Sequence, residues 1–292
     1  MKALAVGLTA LALTASPGGQ QPAYRTDVSL VRLDVLAIAD GRPLYGLGAS
    51  DFEVRDNGIL QRIDAVVGEN VPLDLVLLLD RSESVKGRPL AQLKEAALET
   101  IAALRQEDRV AVLSFADSLS LDASLESRRE QVDRAIDALQ AGGATAMMDA
   151  LFAALSLPES PVRRRLILLF SDGYDNRSWV VSGQVVQAAR ESDAVICAVA
   201  CPPSSRTIGP DRPLLDRVAN ATGGEVTEVD GAGELKSTFL SLLGRMRSRY
   251  LLTYYPAGHD RAEGWHEVKV RLRARKGRVV TRSGYFVPAR LQ

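Results

Sequence analysis

Short apolar segments alternate with helix-like patterns along the middle of this chain. Residues 73–79 and 166–170 have the length and composition of strands buried on both faces, and segments with apolar residues at helical spacing follow them. This alternation is typical of βαβ units and predicts a mostly parallel sheet with helices on both faces. We therefore expect an α/β fold with a doubly wound, Rossmann-like domain over residues 71–248.

Strand-like segments with alternating apolar and polar residues flank this region on both sides. A hairpin-type turn signal, Asp40-Gly41, interrupts the N-terminal flank, and the last strand predicted in the C-terminal flank covers residues 278–286. We expect residues 20–70 and 249–292 to form two halves of one β-sandwich, into which the α/β domain is inserted. Two independent small β modules are the alternative.

The N-terminus has the pattern of a secretory signal peptide. Lys2 precedes an apolar run over residues 3–15, and Ser16-Pro17 ends the run. About 13 apolar residues are too few for a membrane-spanning helix, which needs roughly 20. We expect residues 1–19 to be removed and the mature protein to be soluble and exported, to the periplasm or the extracellular space, without spanning a membrane.

The charge balance and the cysteines restrict the function further. Lys and Arg number 36, as do Asp and Glu, so the chain lacks the net positive charge that attracts nucleic acid. On one extended strand the Cα atoms of Cys197 and Cys201 would be about 13 Å apart, whereas a disulfide needs no more than about 7 Å. Buried reduced cysteines are therefore favoured, and a bridge requires a turn before Cys201.

Small oxygen-bearing side chains follow the apolar segments. Three of them alternate after residues 73–79, an aspartate follows residues 166–170, and a threonine follows a Gly-rich loop between the two. Loops that leave the carboxyl ends of neighbouring parallel strands converge on one spot, and such side chains suit a hard divalent cation. The residues predicted to surround one cation are Asp80, Ser82, Ser84, Thr145 and Asp172.

This set resembles the metal-ion-dependent adhesion site (MIDAS) of von Willebrand factor type A (vWA) domains. Asp80, Ser82 and Ser84 match the Asp-x-Ser-x-Ser motif of that family, Thr145 matches its threonine, and Asp172 matches its third motif. The resemblance implies that the hydroxyls hold Mg²⁺, or else Mn²⁺ or Ca²⁺, directly or through water. It also implies that the carboxylates act mostly through water and hydrogen bonds, and that one coordination position is open to an Asp or Glu carboxylate of a protein partner. The flanks are similar to an exported, vWA-related group of bacterial proteins known mainly from acidobacteria.

Several residues depart from the family pattern or add to it. Glu83 stands where small residues are usual, and it either approaches the metal or points to solvent. Asp175 and Asn176 are candidates for a second cation site. Trp179 lies on the same expected face, where it either contacts a partner or, as we expect, packs against its own helix.

We expect a metal-dependent binding module of the adhesion type and not an enzyme. A serine hydrolase needs a base, and both histidines, His259 and His266, lie in the C-terminal β region. A phosphotransferase with Asp80 as nucleophile would need a second aspartate where Ser82 stands. A structural or assembly protein, in which the metal only stabilises the fold, is the other alternative.

Overall fold

A computed structural model describes residues 30–68, 71–200, 211–229, 232–258, 263–273 and 275–287. The predicted signal peptide, Cys201 and His259 lie outside the described residues. The N-terminal flank consists of short strands, with the expected turn at Asp40-Gly41, where both residues have positive φ angles of 49° and 77°. The strands of this flank are β1 (Val31–Ala39), β2 (Arg42–Pro43), β3 (Phe52–Asp56), β4 (Ile59–Gln61) and β5 (Ile63–Val67).

Strands and helices alternate in the middle of the chain, as the sequence predicts. In order they are β6 (Leu73–Asp80), α1 (Arg88–Ala102), β7 (Arg109–Phe115), β8 (Leu119–Ala123), α2 (Arg129–Ala138), α3 (Met147–Leu155), β9 (Arg164–Ser171), α4 (Ser182–Glu191), β10 (Val195–Ala200), α5 (Arg212–Thr222), β11 (Val226–Glu228) and α6 (Leu235–Arg247). Short 3₁₀ helices cover Ala49–Asp51, Glu83–Val85 and Ala232–Glu234. In the described part of the chain, every helix is too short or too polar to cross a bilayer.

The central sheet has the strand order β11-β10-β9-β6-β7-β8. All neighbouring strands in it are parallel except β8, which pairs antiparallel with β7 at the edge. The chain runs from β6 outward to β7 and β8 and then returns to the other side of β6 as β9. The direction of winding therefore reverses between β6 and β9, and the crevice at their carboxyl ends is where ligands bind in sheets of this type.

Helices cover both faces of this sheet, which explains the unbroken apolar run of β6. Leu75 and Leu77 belong to a buried cluster with residues of α1, α2 and α6. Val76 and Leu78 belong to a second cluster, with residues of α3, α4 and α5. Because successive side chains of a strand point to opposite faces, the part of a strand that two helical layers cover is apolar at successive positions, here residues 75–79.

The C-terminal flank returns to strands: β12 (Tyr250–Tyr254), β13 (Gly264–Leu272), β14 (Arg278–Val280) and β15 (Gly284–Val287). They form two antiparallel sheets with the N-terminal strands, in the orders β14-β1-β12-β5 and β15-β13-β3-β4. Both sheets therefore combine strands from the two flanks, and the alternative of two independent β modules is wrong. Residues of both sheets, among them Leu33, Phe52, Leu252 and Val268, share one buried cluster.

The strand predicted over residues 278–286 is two strands that belong to different sheets. β14 pairs with β1, whereas β15 pairs with β13. Between them, the buried Arg282 donates hydrogen bonds to Gly284 O, to Arg190 O and to Asp193 Oδ1. These bonds to the α/β unit turn the backbone between the strands, and the alternating sequence of the segment carries no sign of them.

Buried arginines join the antiparallel sheets to the amino ends of the parallel strands. Arg164, the first residue of β9, places its Nε 3.1 Å from Asp34 Oδ1 and donates to Arg249 O. Arg249 donates in turn to Asp34 O and Gly223 O. This junction lies at the end of the central sheet opposite to the carboxyl ends of β6 and β9, where the predicted site lies.

Candidate metal centre

Asp80 is the last residue of β6 and is fully buried. Its Oδ1 accepts a hydrogen bond from the Ser82 N–H at 2.9 Å, and its Oδ2 accepts one from the Ser171 hydroxyl at 3.0 Å. The first bond is a local turn that follows from the spacing of the motif. The second crosses to the neighbouring strand β9, so both oxygens of the carboxylate are held in place.

The environment of Asp80 disfavours its negative charge. The pKa of Asp80 is raised to about 6, mainly by burial and also by the nearby charge of Asp172, while the hydrogen bonds from Ser82 and Ser171 act to lower it. Burial and the nearby charge of Asp172 therefore make the ionised form of Asp80 costly. A cation beside the two carboxylates would remove that cost, so their placement fits a metal ion.

The two serines of the first motif lie side by side at the mouth of this site. Their Oγ atoms are 2.9 Å apart. Ser82 is buried, with 2% of its surface exposed, whereas Ser84 is exposed. The Ser82 hydroxyl is therefore buried near Asp80, and the adjacent Ser84 belongs to the solvent-exposed surface.

The loop that carries Thr145 is held against the other two motifs by backbone and amide hydrogen bonds. The Thr145 N–H donates to Asn176 Oδ1 at 2.9 Å, and Thr145 O accepts from the Asn176 N–H at 3.1 Å. On the other side, the Gly142 N–H donates to Arg81 O at 2.8 Å. Thr145, which is buried, thus lies between the segments that follow β6 and β9.

Asp172 is buried, and its Oδ1 accepts a hydrogen bond from the Tyr174 N–H at 3.1 Å. Within the residues that the structure describes, neither Asp172 Oδ2 nor the Thr145 hydroxyl has a hydrogen-bond partner. Both oxygen atoms are therefore available as ligands or as acceptors for metal-bound water. The structure places all five predicted residues at the carboxyl ends of β6 and β9 and on the adjoining loop.

The donor set contains two carboxylates and three hydroxyls. Among the described residues, no cluster of three or more His, Cys, Asp or Glu side chains is arranged to hold a metal. A hydroxyl-rich set is consistent with that result, because it relies on neutral oxygens. It suits a hard cation such as Mg²⁺, which prefers oxygen ligands and keeps part of its water.

The carboxylate of Glu83 is exposed to solvent and pairs with a lysine. The Glu83 side chain is 60% exposed, and its Oε1 lies 2.7 Å from Lys86 Nζ. The backbone N–H of Glu83 donates to Gly143 O at 3.0 Å, so this residue fixes the Thr145 loop through its main chain. Of the two alternatives left open by the sequence, the structure has the one in which the carboxylate faces solvent.

Two positioning residues were missed in the sequence. Ser171 orients Asp80 from the next strand, and its signal was its place directly before Asp172 at the strand end. Asp117 accepts a hydrogen bond from the Ala144 N–H at 3.0 Å. Gly143 has a φ of +88°, and a Cβ on it would lie 2.0 Å from Asp117 Oδ2, so a glycine is needed there.

Asp175 and Asn176 fix loops in this structure. Asp175 Oδ2 accepts hydrogen bonds from the Met148 N–H at the start of α3, at 2.7 Å, and from the Ser178 hydroxyl, at 2.6 Å. Its Oδ1 accepts from the N–H groups of Arg177 and Ser178. A carboxylate so fully used by donors stabilises the loop, and these contacts do not support the interpretation as a second cation site.

Trp179 does not pack against its own helix, so that expectation is wrong. Its side chain is 90% exposed. The backbone N–H of Trp179 donates to both carboxylate oxygens of Asp149, at 3.0 and 3.2 Å. The backbone is held by α3 while the indole lies in solvent.

The fold and the site define a Rossmann-like α/β domain with a hydroxyl-rich site at the reversal of its winding. Residues 75–174, which include all five predicted site residues, match the family model of the von Willebrand factor type A domain. This part of the chain is therefore a vWA domain.

Known proteins are similar to this chain over part of their length. An uncharacterized protein of Synechocystis is 27% identical over 207 residues, which are 65% of this chain and 46% of the relative. The chain thus spans less than half the length of this curated relative. Proximal thread matrix protein 1 from the mussel byssus, solved with a zinc-occupied MIDAS motif, has a TM-score of 0.54 at 18% identity, over 65% of this chain and 49% of that one. A von Willebrand factor type A protein from Catenulispora acidiphila has a TM-score of 0.52 at 15% identity, over 82% of this chain and 73% of that one.

Proposed function

We propose that this protein is an exported binding module that captures an acidic group of a protein partner through a divalent cation. The observation that carries the proposal is the pair of buried carboxylates, Asp80 and Asp172, beside hydroxyls that lead to solvent at Ser84. Without a cation, the buried negative charge costs free energy. A cation bound there could be reached by a partner from the solvent side, at Ser84.

The chemistry of the donor set explains why an external acid would bind. The hydroxyls of Ser82, Ser84 and Thr145 would hold the ion, and Asp80 and Asp172 would act mainly through water. Neutral ligands leave the ion with much of its positive charge, so it attracts a further anion. Mg²⁺ fits best, with Mn²⁺ or Ca²⁺ as alternatives, and the zinc in the MIDAS motif of the mussel protein supports a divalent ion.

The wider context belongs to the same proposal. The signal-like N-terminus supports export to the periplasm or extracellular space, with residues 1–19 removed. The shared buried cluster of the two antiparallel sheets supports a β-sandwich, built from residues 20–70 and 249–292, that carries the vWA domain of residues 71–248. The activity of the whole protein and the nature of its partners are proposed from the site around Asp80 and Asp172.

An enzymatic role has less support. The imidazole of His266 is buried in the antiparallel part, with its Nδ1 3.1 Å from Asp56 Oδ1, and it does not belong to the site around Asp80. A structural role for the metal is the stronger alternative, since a cation between two loops stabilises a fold whether or not a partner binds.

Metal titration and affinity capture separate these functions. We expect the protein to bind Mn²⁺, measured by electron paramagnetic resonance, and to capture proteins from a native surface or periplasmic extract with Mg²⁺ but not with EDTA. Thr145→Val should lose both properties, whereas Thr253→Val, which removes a buried hydroxyl from β12, should keep them. A metal-induced rise in melting temperature with capture unaffected by EDTA would establish the structural role instead.

A further inference from the structure

Three exposed apolar side chains lie in one loop beside the proposed metal site. We call residues 173–181, between β9 and α4, the Trp179 loop. Trp179 in this loop is 90% exposed and Val181 is 61% exposed, and Tyr174 is exposed as well. Single exposed apolar residues are ordinary, but a group that includes an almost fully exposed tryptophan is typical of an interaction surface.

The backbone of the Trp179 loop is fixed by α3. Asp149 accepts hydrogen bonds from the N–H groups of Trp179 and Val180, the latter at 2.8 Å. The Asp149 N–H donates to Ser178 Oγ at 3.0 Å, and Ser178 is held in turn by Asp175. A fixed backbone lowers the entropic cost of binding, and tryptophans in this situation are frequent hot spots of protein interfaces.

The Trp179 loop is continuous with the metal site. Asn176, in the same loop, exchanges two hydrogen bonds with the main chain of Thr145. Asp149, which holds the Trp179 N–H, lies four residues after Thr145, in the first turn of α3. The exposed Arg177 stands in the sequence between Asn176, which contacts Thr145, and Trp179, so the Trp179 loop carries a positive charge between these two residues.

We propose that the partner is a protein segment with an acidic residue and, within a few residues of it, an aromatic or large aliphatic residue. The acidic side chain binds the cation and the apolar side chain packs on Trp179. This inference rests on the proposed function and specifies its ligand. A segment with both features is complementary to the cation, to Arg177 and to the indole at once, whereas an acidic segment without an apolar residue leaves Trp179 in water.

A displayed library of random peptides tests this inference on the immobilised protein. We expect peptides enriched with Mg²⁺ to contain an Asp or Glu with a Phe, Tyr, Trp or Leu within about four residues of it, and to elute with EDTA. Trp179→Ser should weaken the binding of such a peptide by about tenfold or more, as loss of a hot spot does. Val162→Ser is the matched control, because Val162 is also exposed but precedes the amino end of β9.

The outcomes distinguish the inference from the proposed function. Enrichment of acidic peptides without an apolar neighbour, or equal affinity of Trp179→Ser and the unsubstituted protein, would overturn the inference and leave the metal-dependent capture intact. If the same peptides are enriched in the presence of EDTA and on the Thr145→Val variant, both the inference and the proposed function are overturned. Self-association that depends on Trp179, measured by sedimentation without peptide, would assign this surface to a second copy of the chain and also overturn the inference.

Discussion

The Ser171 hydroxyl donates a hydrogen bond to Asp80 Oδ2 at 3.0 Å and so ties together the carboxyl ends of β9 and β6. Ser171 also accepts a hydrogen bond from the Gly173 N–H at 3.2 Å, at the start of the Trp179 loop. One hydroxyl thus fixes both the first carboxylate of the proposed metal site and the turn that follows the third motif. The site depends on this contact as well as on its own motif residues.

Ser171→Ala is expected to weaken metal binding while the protein stays folded. The variant leaves Asp80 Oδ2 without its donor, and loss of a residue that orients a ligand typically costs about tenfold or more in metal affinity. A Mn²⁺ titration measures this effect. Ser120→Ala, in the edge strand β8, is the control and should bind Mn²⁺ normally; equal affinities of the two variants would contradict the prediction.

Gly143→Ala is expected to disturb the Thr145 loop. The added Cβ would lie 2.0 Å from Asp117 Oδ2 at a φ of +88°, so the loop or Asp117 must move. Overpacking of this kind costs about 1–3 kcal/mol, and we expect a lower melting temperature together with weaker Mn²⁺ binding.

A second glycine gives the matched control for this substitution. Gly183, at the start of α4, has no atom within 4 Å of an added Cβ. Gly183→Ala should keep the metal affinity and the stability. Weak Mn²⁺ binding by both alanine variants would show that the effect is not specific to the Thr145 loop.

Tyr285→Phe is expected to destabilise the antiparallel sheets without an effect on the metal site. The buried Asp56 Oδ2 accepts hydrogen bonds from the hydroxyls of Tyr254, at 2.9 Å, and Tyr285, at 2.7 Å. Burial, with the neighbouring charge of Asp56, raises the pKa of both tyrosines, so they remain donors at alkaline pH. Loss of one such bond to a charged group costs about 1.5–3 kcal/mol. Urea unfolding measures the loss, and an altered Mn²⁺ affinity would contradict the separation of the two regions.

Asp108 is expected to make the stability of the protein depend on acid pH. Although burial raises its pKa, hydrogen bonds from Arg247 and from the N–H groups of Leu73 and Arg105 hold the pKa below its ordinary value of 3.8. A lowered pKa in the folded state means that the ionised group stabilises the fold above pH 3.8 and that this contribution is lost as the pH falls through the folded-state pKa.

The test compares unfolding free energies at pH 7 and at pH 3. Asp108→Asn should lower the stability at pH 7 by about 2 kcal/mol, because it weakens the bonds to a charged acceptor. The difference between the variant and the unsubstituted protein should shrink at pH 3. A difference that grows on acidification would contradict the sign of this pKa shift.

Local pattern was sufficient for most of the α/β unit. β6 extends one residue beyond the predicted segment 73–79, and β9 extends beyond the predicted segment 166–170 by two residues at its amino end and one at its carboxyl end. These elements were predictable because their apolar residues recur at the positions that pack against the neighbouring layer of the fold. The strand predicted over residues 278–286 failed for the opposite reason, since Arg282 breaks it through bonds to a distant part of the chain.

The sequence by itself determined the doubly wound sheet and the loops on which the proposed ligands lie. The middle of a strand that helices cover on both faces is apolar at successive positions, so the polar residues Asp80 and Asp172 mark the carboxyl ends of β6 and β9. The tertiary structure alone decided the bond from Ser171 to Asp80, the solvent-facing carboxylate of Glu83 and the exposure of Trp179. Each of these depends on segments that are distant in sequence or on a loop whose conformation is set by hydrogen bonds to other elements. Such contacts produce no periodic pattern of apolar residues from which they could be predicted.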